Sequence, residues 1–124
     1  MSNLQGDPTE LITRYFAIVT AKDAAALHSL FAPTAVLESG HLRLEGPDAI
    51  LSYYTSNTFT FDDFLPQPGP LSVEGGRVTV TIDVRLGGAQ HRVVDVFETD
   101  GRQILSLHIS GFEEALDSAR GEGD

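Results

Sequence analysis

Few side chains in this 124-residue chain are equipped for chemistry, and their types narrow the field early. There is no cysteine, so a thiolate nucleophile, a disulfide and a Cys-ligated metal are excluded. Of the histidines, His28 falls on an expected helix, His41 in a loop, and His91 and His108 on expected strands. Neither His-x-His nor His-Glu-x-x-His occurs, and no metal site is expected. Gly75-Gly76 and Gly87-Gly88 read as hairpin turns, not as a phosphate-cradling loop, and no nucleophile elbow offers Ser-His-Asp catalysis. What remains is carboxylates and phenols. Asp95 is the odd one, because it sits in an apolar strand and an unpaired buried carboxylate is costly. Tyr15 and Tyr54 lie on the inner faces of expected helices, where a tyrosine can equally serve packing. Such groups support proton transfer without a cofactor, and none is expected.

The elements that must position these residues can be read along the chain. Asp7-Pro8-Thr9-Glu10 is a helix start, with Asp at the cap, Pro in the first turn and Glu three places after the cap. Leu11, Ile12, Tyr15, Phe16 and Val19 then recur at helical spacing, to about residue 21. Asp23 caps a shorter helix carrying Leu27, Leu30 and Phe31, which Pro33 ends. A short strand over 35–38 follows, and Gly46-Pro47 opens a third helix with Ile50, Leu51 and Tyr54 inward. From residue 58 the signal turns to strands. Phe59 and Phe61 alternate with threonine, residues 66–70 make an irregular connection, and strands are expected near 71–74, 77–86, 90–99 and 102–111. On 90–98, His91, Val93, Asp95 and Phe97 share one face. On the last strand Leu105, Leu107 and Ile109 oppose Ser106, His108 and Ser110. Helices first and a meander of antiparallel strands afterwards is an α+β layout.

Length and composition set the frame. The chain has the size of one domain, and 41% hydrophobic with 21% charged residues is ordinary for a globular protein. No apolar run approaches a membrane span, and the N-terminal residues lack the basic and apolar regions of a signal peptide. These features, with the missing cysteines, favour a cytoplasmic protein. A net charge of −10 with only eight Lys and Arg makes no basic patch, which argues against nucleic acid. The expected division is one domain over 1–112 and an acidic tail over 113–124. That tail holds Glu113, Glu114, Asp117, Glu122 and Asp124 against Arg120 alone, and offers little to bury.

The order of elements, together with the stretches Leu11-Ile-Thr-Arg-Tyr-Phe, Lys22-Asp-Ala-Ala-Ala-Leu-His-Ser-Leu-Phe-Ala, Leu44-Glu-Gly-Pro-Asp-Ala-Ile and Val93-Val-Asp-Val-Phe, resembles the NTF2-like superfamily, including its SnoaL-like and ketosteroid isomerase members. The similarity runs over residues 8–112. It implies a cone-shaped fold, with three N-terminal helices packed on the concave face of a curved, mostly antiparallel sheet around an apolar pocket. It also implies that Asp95 faces inward, that the ligand is an apolar small molecule, and that the protein is a homodimer. Tyr15 and Asp95 fall where ketosteroid isomerases keep their oxyanion-hole tyrosine and aspartic acid, the handling of a carboxylic acid held neutral by its surroundings. Tyr54 matches a tyrosine that hydrogen-bonds this pair in some isomerases. The wall around them is expected from Phe16, Val19, Phe31 and Ser39, and from His91, Val93, Phe97, Leu107 and Ile109 on the sheet. Isomerases also need a carboxylate base on the short strand. Ungapped alignment puts that position on Ser39, so Glu38 can serve only if the register shifts by one residue, with His41 as the second candidate. The implied function is isomerase chemistry by proton abstraction and enolate stabilisation, with a SnoaL-like polyketide cyclase or a non-catalytic binding protein as alternatives. An inward Ser39 would favour those alternatives.

Overall fold

The computed structural model describes residues 6–119. Helix α1 (Pro8–Ala21) starts where the sequence signals it, with the Asp7 carboxylate accepting the Thr9 N–H at 2.9 Å. Lys22 ends it in the left-handed conformation, and its ammonium donates to the Phe61 carbonyl at 2.7 Å. Asp23 caps α2 (Ala24–Leu30), and Pro47 opens α3 (Pro47–Ser56). The strands are β1 (Phe31–Ser39), β2 (Leu42–Glu45), β3 (Leu65–Pro68), β4 (Ser72–Glu74), β5 (Arg77–Leu86), β6 (Ala89–Thr99) and β7 (Ile104–Ser110). They form one curved sheet in the order β2-β1-β7-β6-β5-β3, with β4 also paired to β5. Only the β1–β7 pairing is parallel.

One face of the sheet is buried against the helices. Val78, Val80, Ile82, Val84 and Leu86 of β5, and Val93, Asp95, Phe97 and Thr99 of β6, alternate inward as a period of two requires. The outer face carries cross-strand ion pairs at register positions, Arg77 with Glu98 at 2.6 Å and Arg92 with Asp83 at 3.2 Å. Exposed pairs of this kind contribute little stability and serve mainly to keep that face wet.

Several expectations need correction. Leu105 does not share the inner face with Leu107 and Ile109. Thr99 pairs Ile104 while Glu98 pairs Ser106, so Leu105 is the extra residue of a bulge and is turned to solvent. Phe59 lies in a single 3-10 turn, α-helix-like and tighter, over Thr58–Thr60, because Thr60 N–H bonds back to the Asn57 carbonyl. The short strand over 35–38 extends to 31–39, and its partner β2 occupies what read as loop. The largest correction is at the C-terminus. Phe112–Ala119 is a helix, α4, with Phe112, Ala115 and Leu116 buried in the core. Apolar residues at the first, fourth and fifth positions make a helical stripe, which the acids around them obscured in a reading by composition. The domain therefore runs past 112, and the rest of the expected tail, residues 120–124, lies outside the described residues.

Candidate functional site

A cavity lies between the helices and the inner face of the sheet. Its wall is Tyr15, Phe16 and Val19 of α1, Tyr53 and Tyr54 of α3, Thr58, Phe64 and Pro66 of the following segment, Ile82 and Val84 of β5, Val93 and Asp95 of β6, Ile109 of β7 and Phe112 of α4. Apolar atoms dominate this wall. Its volume is about 40 Å³, room for roughly two or three waters. Pockets for drug-sized ligands measure ~300–1,000 Å³. A ring-bearing ligand is therefore admitted only if part of the aromatic wall moves.

Three of the expected site residues meet here. Tyr15 and Tyr54 hydrogen-bond through their hydroxyls, and Asp95 is buried beside them at 4% exposure. Edge-on contacts with Phe16 and Phe97, at 5.0 and 5.1 Å between ring centres, hold the Tyr15 ring. Burial raises the Tyr15 pKa well above its ordinary value, and the neighbouring Tyr54 and Asp95 raise it further. Burial likewise raises that of Tyr54, partly offset by the bond from Tyr15. Both phenols therefore stay protonated at neutral pH. Two hydroxyls sharing one hydrogen bond leave one O–H free to donate to a third oxygen.

Asp95 is the unusual group. Desolvation pushes its carboxyl pKa from 3.8 up to about 8, and no cation or donor among the described residues offsets it. The same low-dielectric site that makes its charge costly makes its protonated form a good donor. Thr58 adds a buried hydroxyl on the cavity wall with no hydrogen-bond partner among the described residues. An unmet polar atom in an apolar wall is a place for a ligand's polar group.

The base expected on β1 is not where the isomerase pattern needs it. Glu38 points away from the cavity, its side chain 46% exposed and paired with Arg43 at 3.0 Å. Ser39 is the inward residue, fully buried. The cause is the hairpin. Gly40, at φ +59°, and His41 form a two-residue turn that brings Ser39 opposite Leu42, so β1 keeps its alternation to the end with no bulge to turn Glu38 inward. His41 is exposed at the tip. Of the expected wall, Phe16, Val19, Val93 and Ile109 line the cavity, whereas Ser39, though buried, does not. Phe31, Phe97 and Leu107 are instead packed in the core behind it. His91 lies farther along β6, half-buried, with a buried Nε2 that has no partner among the described residues.

Sequence reading missed Tyr53, Thr58, Phe64, Pro66, Ile82 and Val84 of the wall, and with the helix it missed it also missed Phe112 and Glu113. Glu113 of α4 accepts hydrogen bonds from the Tyr53 hydroxyl at 2.6 Å and from Ser39 Oγ at 3.2 Å, both on Oε2. Burial and this carboxylate raise the Tyr53 pKa. The signal that could have found it was the Phe112, Ala115, Leu116 stripe. Among the described residues no three His, Asp or Glu side chains gather as metal ligands, and no helix is long and apolar enough to cross a membrane.

A curved sheet wrapped by helices around a pocket with two phenols and one dry carboxyl defines a class, the NTF2-like fold, and the comparisons with known proteins specify the branch. The chain belongs to the SnoaL-like domain family, which it matches over residues 12–107. A protein from Sinorhizobium meliloti assigned as a polyketide cyclase is similar at 25% identity and a TM-score of 0.71, over 81% of this chain and 93% of that one. The epoxide hydrolase/cyclase-like enzyme SalBIII, which has a role in pyran ring formation in the polyether salinomycin, is similar at 26% identity and a TM-score of 0.72, over 84% and 89%. A protein from Kribbella flavida assigned as a ketosteroid isomerase shares the fold at a TM-score of 0.76, over 84% and 76%, with 16% identity. No protein of curated function matches the chain significantly in sequence.

Proposed function

We propose that this protein is an acid–base enzyme for a compact, apolar, carbonyl-bearing molecule, of the cyclase kind rather than the isomerase kind. The observation that carries the reading is Asp95: a carboxyl buried without a cation, beside the Tyr15–Tyr54 pair, in a cavity that is otherwise almost entirely apolar. A carboxyl with a pKa of about 8 is mostly protonated at neutral pH and can give its proton to an oxygen that gains charge. The free hydroxyl of the tyrosine pair supplies a second donor to the same oxygen, in a site where competing water is scarce. Such a site lowers the barrier for steps through an enolate or alkoxide.

Two observations favour ring closure over double-bond migration. An isomerase needs a carboxylate on β1 to carry a proton between carbons, and here the inward residue is Ser39. Two neighbours, at 25 and 26% identity, are a protein assigned as a polyketide cyclase and an epoxide hydrolase/cyclase-like enzyme. The contracted cavity favours a small ring system over a steroid.

The test uses 4-nitrophenol, whose oxygen mimics an enolate and whose absorbance reports its ionisation. It should bind the wild type, and both Asp95→Leu and Tyr15→Phe should weaken binding about tenfold or more. Equal affinity in all three proteins would overturn the assignment of these donors.

A further inference from the structure

We infer that Glu113, on α4, is the base of this pocket, taking the place that an isomerase gives to a carboxylate on β1. The inference rests on the acid–base reading above and adds the group that reading lacks.

Four features support it. Glu113 stands just outside the cavity wall: it follows Phe112, which lines the cavity, and its carboxylate takes the hydroxyl of Tyr53, which also lines it, so the wall movement that admits a ring must also bring the carboxylate to the ligand. The second donor to the same oxygen is Ser39, the fully buried residue at the inward end of β1. The hairpin makes room for this arrangement: a Cβ added at Gly40 would come within 3.1 Å of Glu113 Cγ. Finally, no cation pairs with Glu113 among the described residues, whereas the outward Glu38 and Glu45 both engage Arg43. A half-buried carboxylate with one oxygen held by two hydroxyls and no counter-charge is arranged to accept a proton with the other.

Its position relative to Asp95 follows from strand register. Ser39 pairs Ile109, and Ile109 pairs Asp95, so the three form a row across β1, β7 and β6. At ~4.8 Å per strand, the backbones of Ser39 and Asp95 stand roughly 10 Å apart. Glu113, bonded to Ser39, stands at the far end of that row, and the scheme needs a substrate whose carbonyl oxygen meets Asp95 and the tyrosine hydroxyl while its neighbouring carbon faces α4. Glu113 takes the proton from that carbon. The C–H electron pair becomes the C=C bond, and the carbonyl π pair moves to oxygen, where Asp95 and the tyrosine receive it. The enol carbon can then attack a second electrophile in the same molecule. If the proton instead returns to carbon, the ketone is regenerated, and in D2O the step appears as isotope exchange. Tyr53 and Ser39 are positioning residues in this scheme.

The experiment follows deuterium entry into cyclohexanone by NMR, alongside 4-nitrophenol binding to the same proteins. Wild type should exchange the α-protons faster than buffer. Glu113→Gln, which keeps the shape and an acceptor, should slow exchange by about a hundredfold or more while phenol affinity stays within about threefold. Glu113→Asp, one methylene shorter, should fall between; if the glutamine variant does not fold, a lowered rate in this variant carries the test. Exchange at the wild-type rate in a folded Glu113 variant overturns the inference. So does wild-type exchange no faster than buffer with phenol binding intact, which leaves the donors standing. Absent phenol binding in the wild type would instead remove the pocket reading on which the inference depends.

Discussion

Replacing Asp95 with asparagine separates a buried neutral acid from an ordinary surface carboxylate. In the unfolded chain the group titrates near its ordinary value of 3.8, and in the folded chain near 8. Between those values the native state holds one proton more than the unfolded state, so stability falls as pH rises through the window, by about 1.4 kcal/mol per pH unit. Below the unfolded value both states are protonated and the effect vanishes; above the folded value the loss is complete. From about pH 5 to about pH 8 the span is three units, which sets an upper bound of about 4 kcal/mol. Asparagine does not titrate. Its amide pays a fixed desolvation cost of about 1–3 kcal/mol where its atoms lack partners, so only the slope is diagnostic. Other groups titrate alike in both proteins and cancel in the difference, apart from neighbours coupled to Asp95. Melting curves of the two proteins across this range should show asparagine gaining on wild type, by as much as roughly 15 °C for a domain of this size. Parallel curves would refute the dry-site account. Wild type gaining as pH rises would mean that the carboxylate is paired, and the donor role would fall with it.

Leu116→Ala should cost about 2–5 kcal/mol in denaturant unfolding, because Leu116 is fully buried under α4; a negligible loss would mean that the helix does not dock in solution. Glu38→Gln should leave melting temperature and 4-nitrophenol affinity essentially unchanged, since it breaks only an exposed pair with Arg43. A marked loss of binding would restore Glu38 to the site. Leu105→Ser should change stability by less than about 0.5 kcal/mol while Leu107→Ala costs about 2–5 kcal/mol, a contrast that reports the bulge in β7 directly.

Much of the fold was legible before any coordinates, because its determinants are local. The Asp7-Pro8 and Gly46-Pro47 starts, the apolar stripe from Leu11 to Val19, and the alternation along β5 and β6 each depend on residues a few positions apart. Asp95 stood out for the same reason, a carboxyl interrupting an apolar strand, whereas Tyr15 was singled out by the family resemblance and not by its helix face. α4 was hidden because its apolar residues are few and sit among acids, and only docking against β5 and β6 makes them a core face.

Two matters belonged to tertiary structure alone. The sequence Glu38-Ser39-Gly40-His41 is compatible with either neighbour facing inward, since alternation fixes that the two point oppositely but not which is buried. The two-residue turn at Gly40-His41 only keeps the alternation intact; the choice was made by pairing of β1 to β7, a long-range constraint. The second is the company Ser39 keeps. Glu113 lies 74 positions away, and its hydrogen bond to Ser39 exists because α4 folds back over the hairpin end of β1. Side chains with ordinary neighbours in sequence become a candidate acid and a candidate base only when the sheet sets their strands side by side.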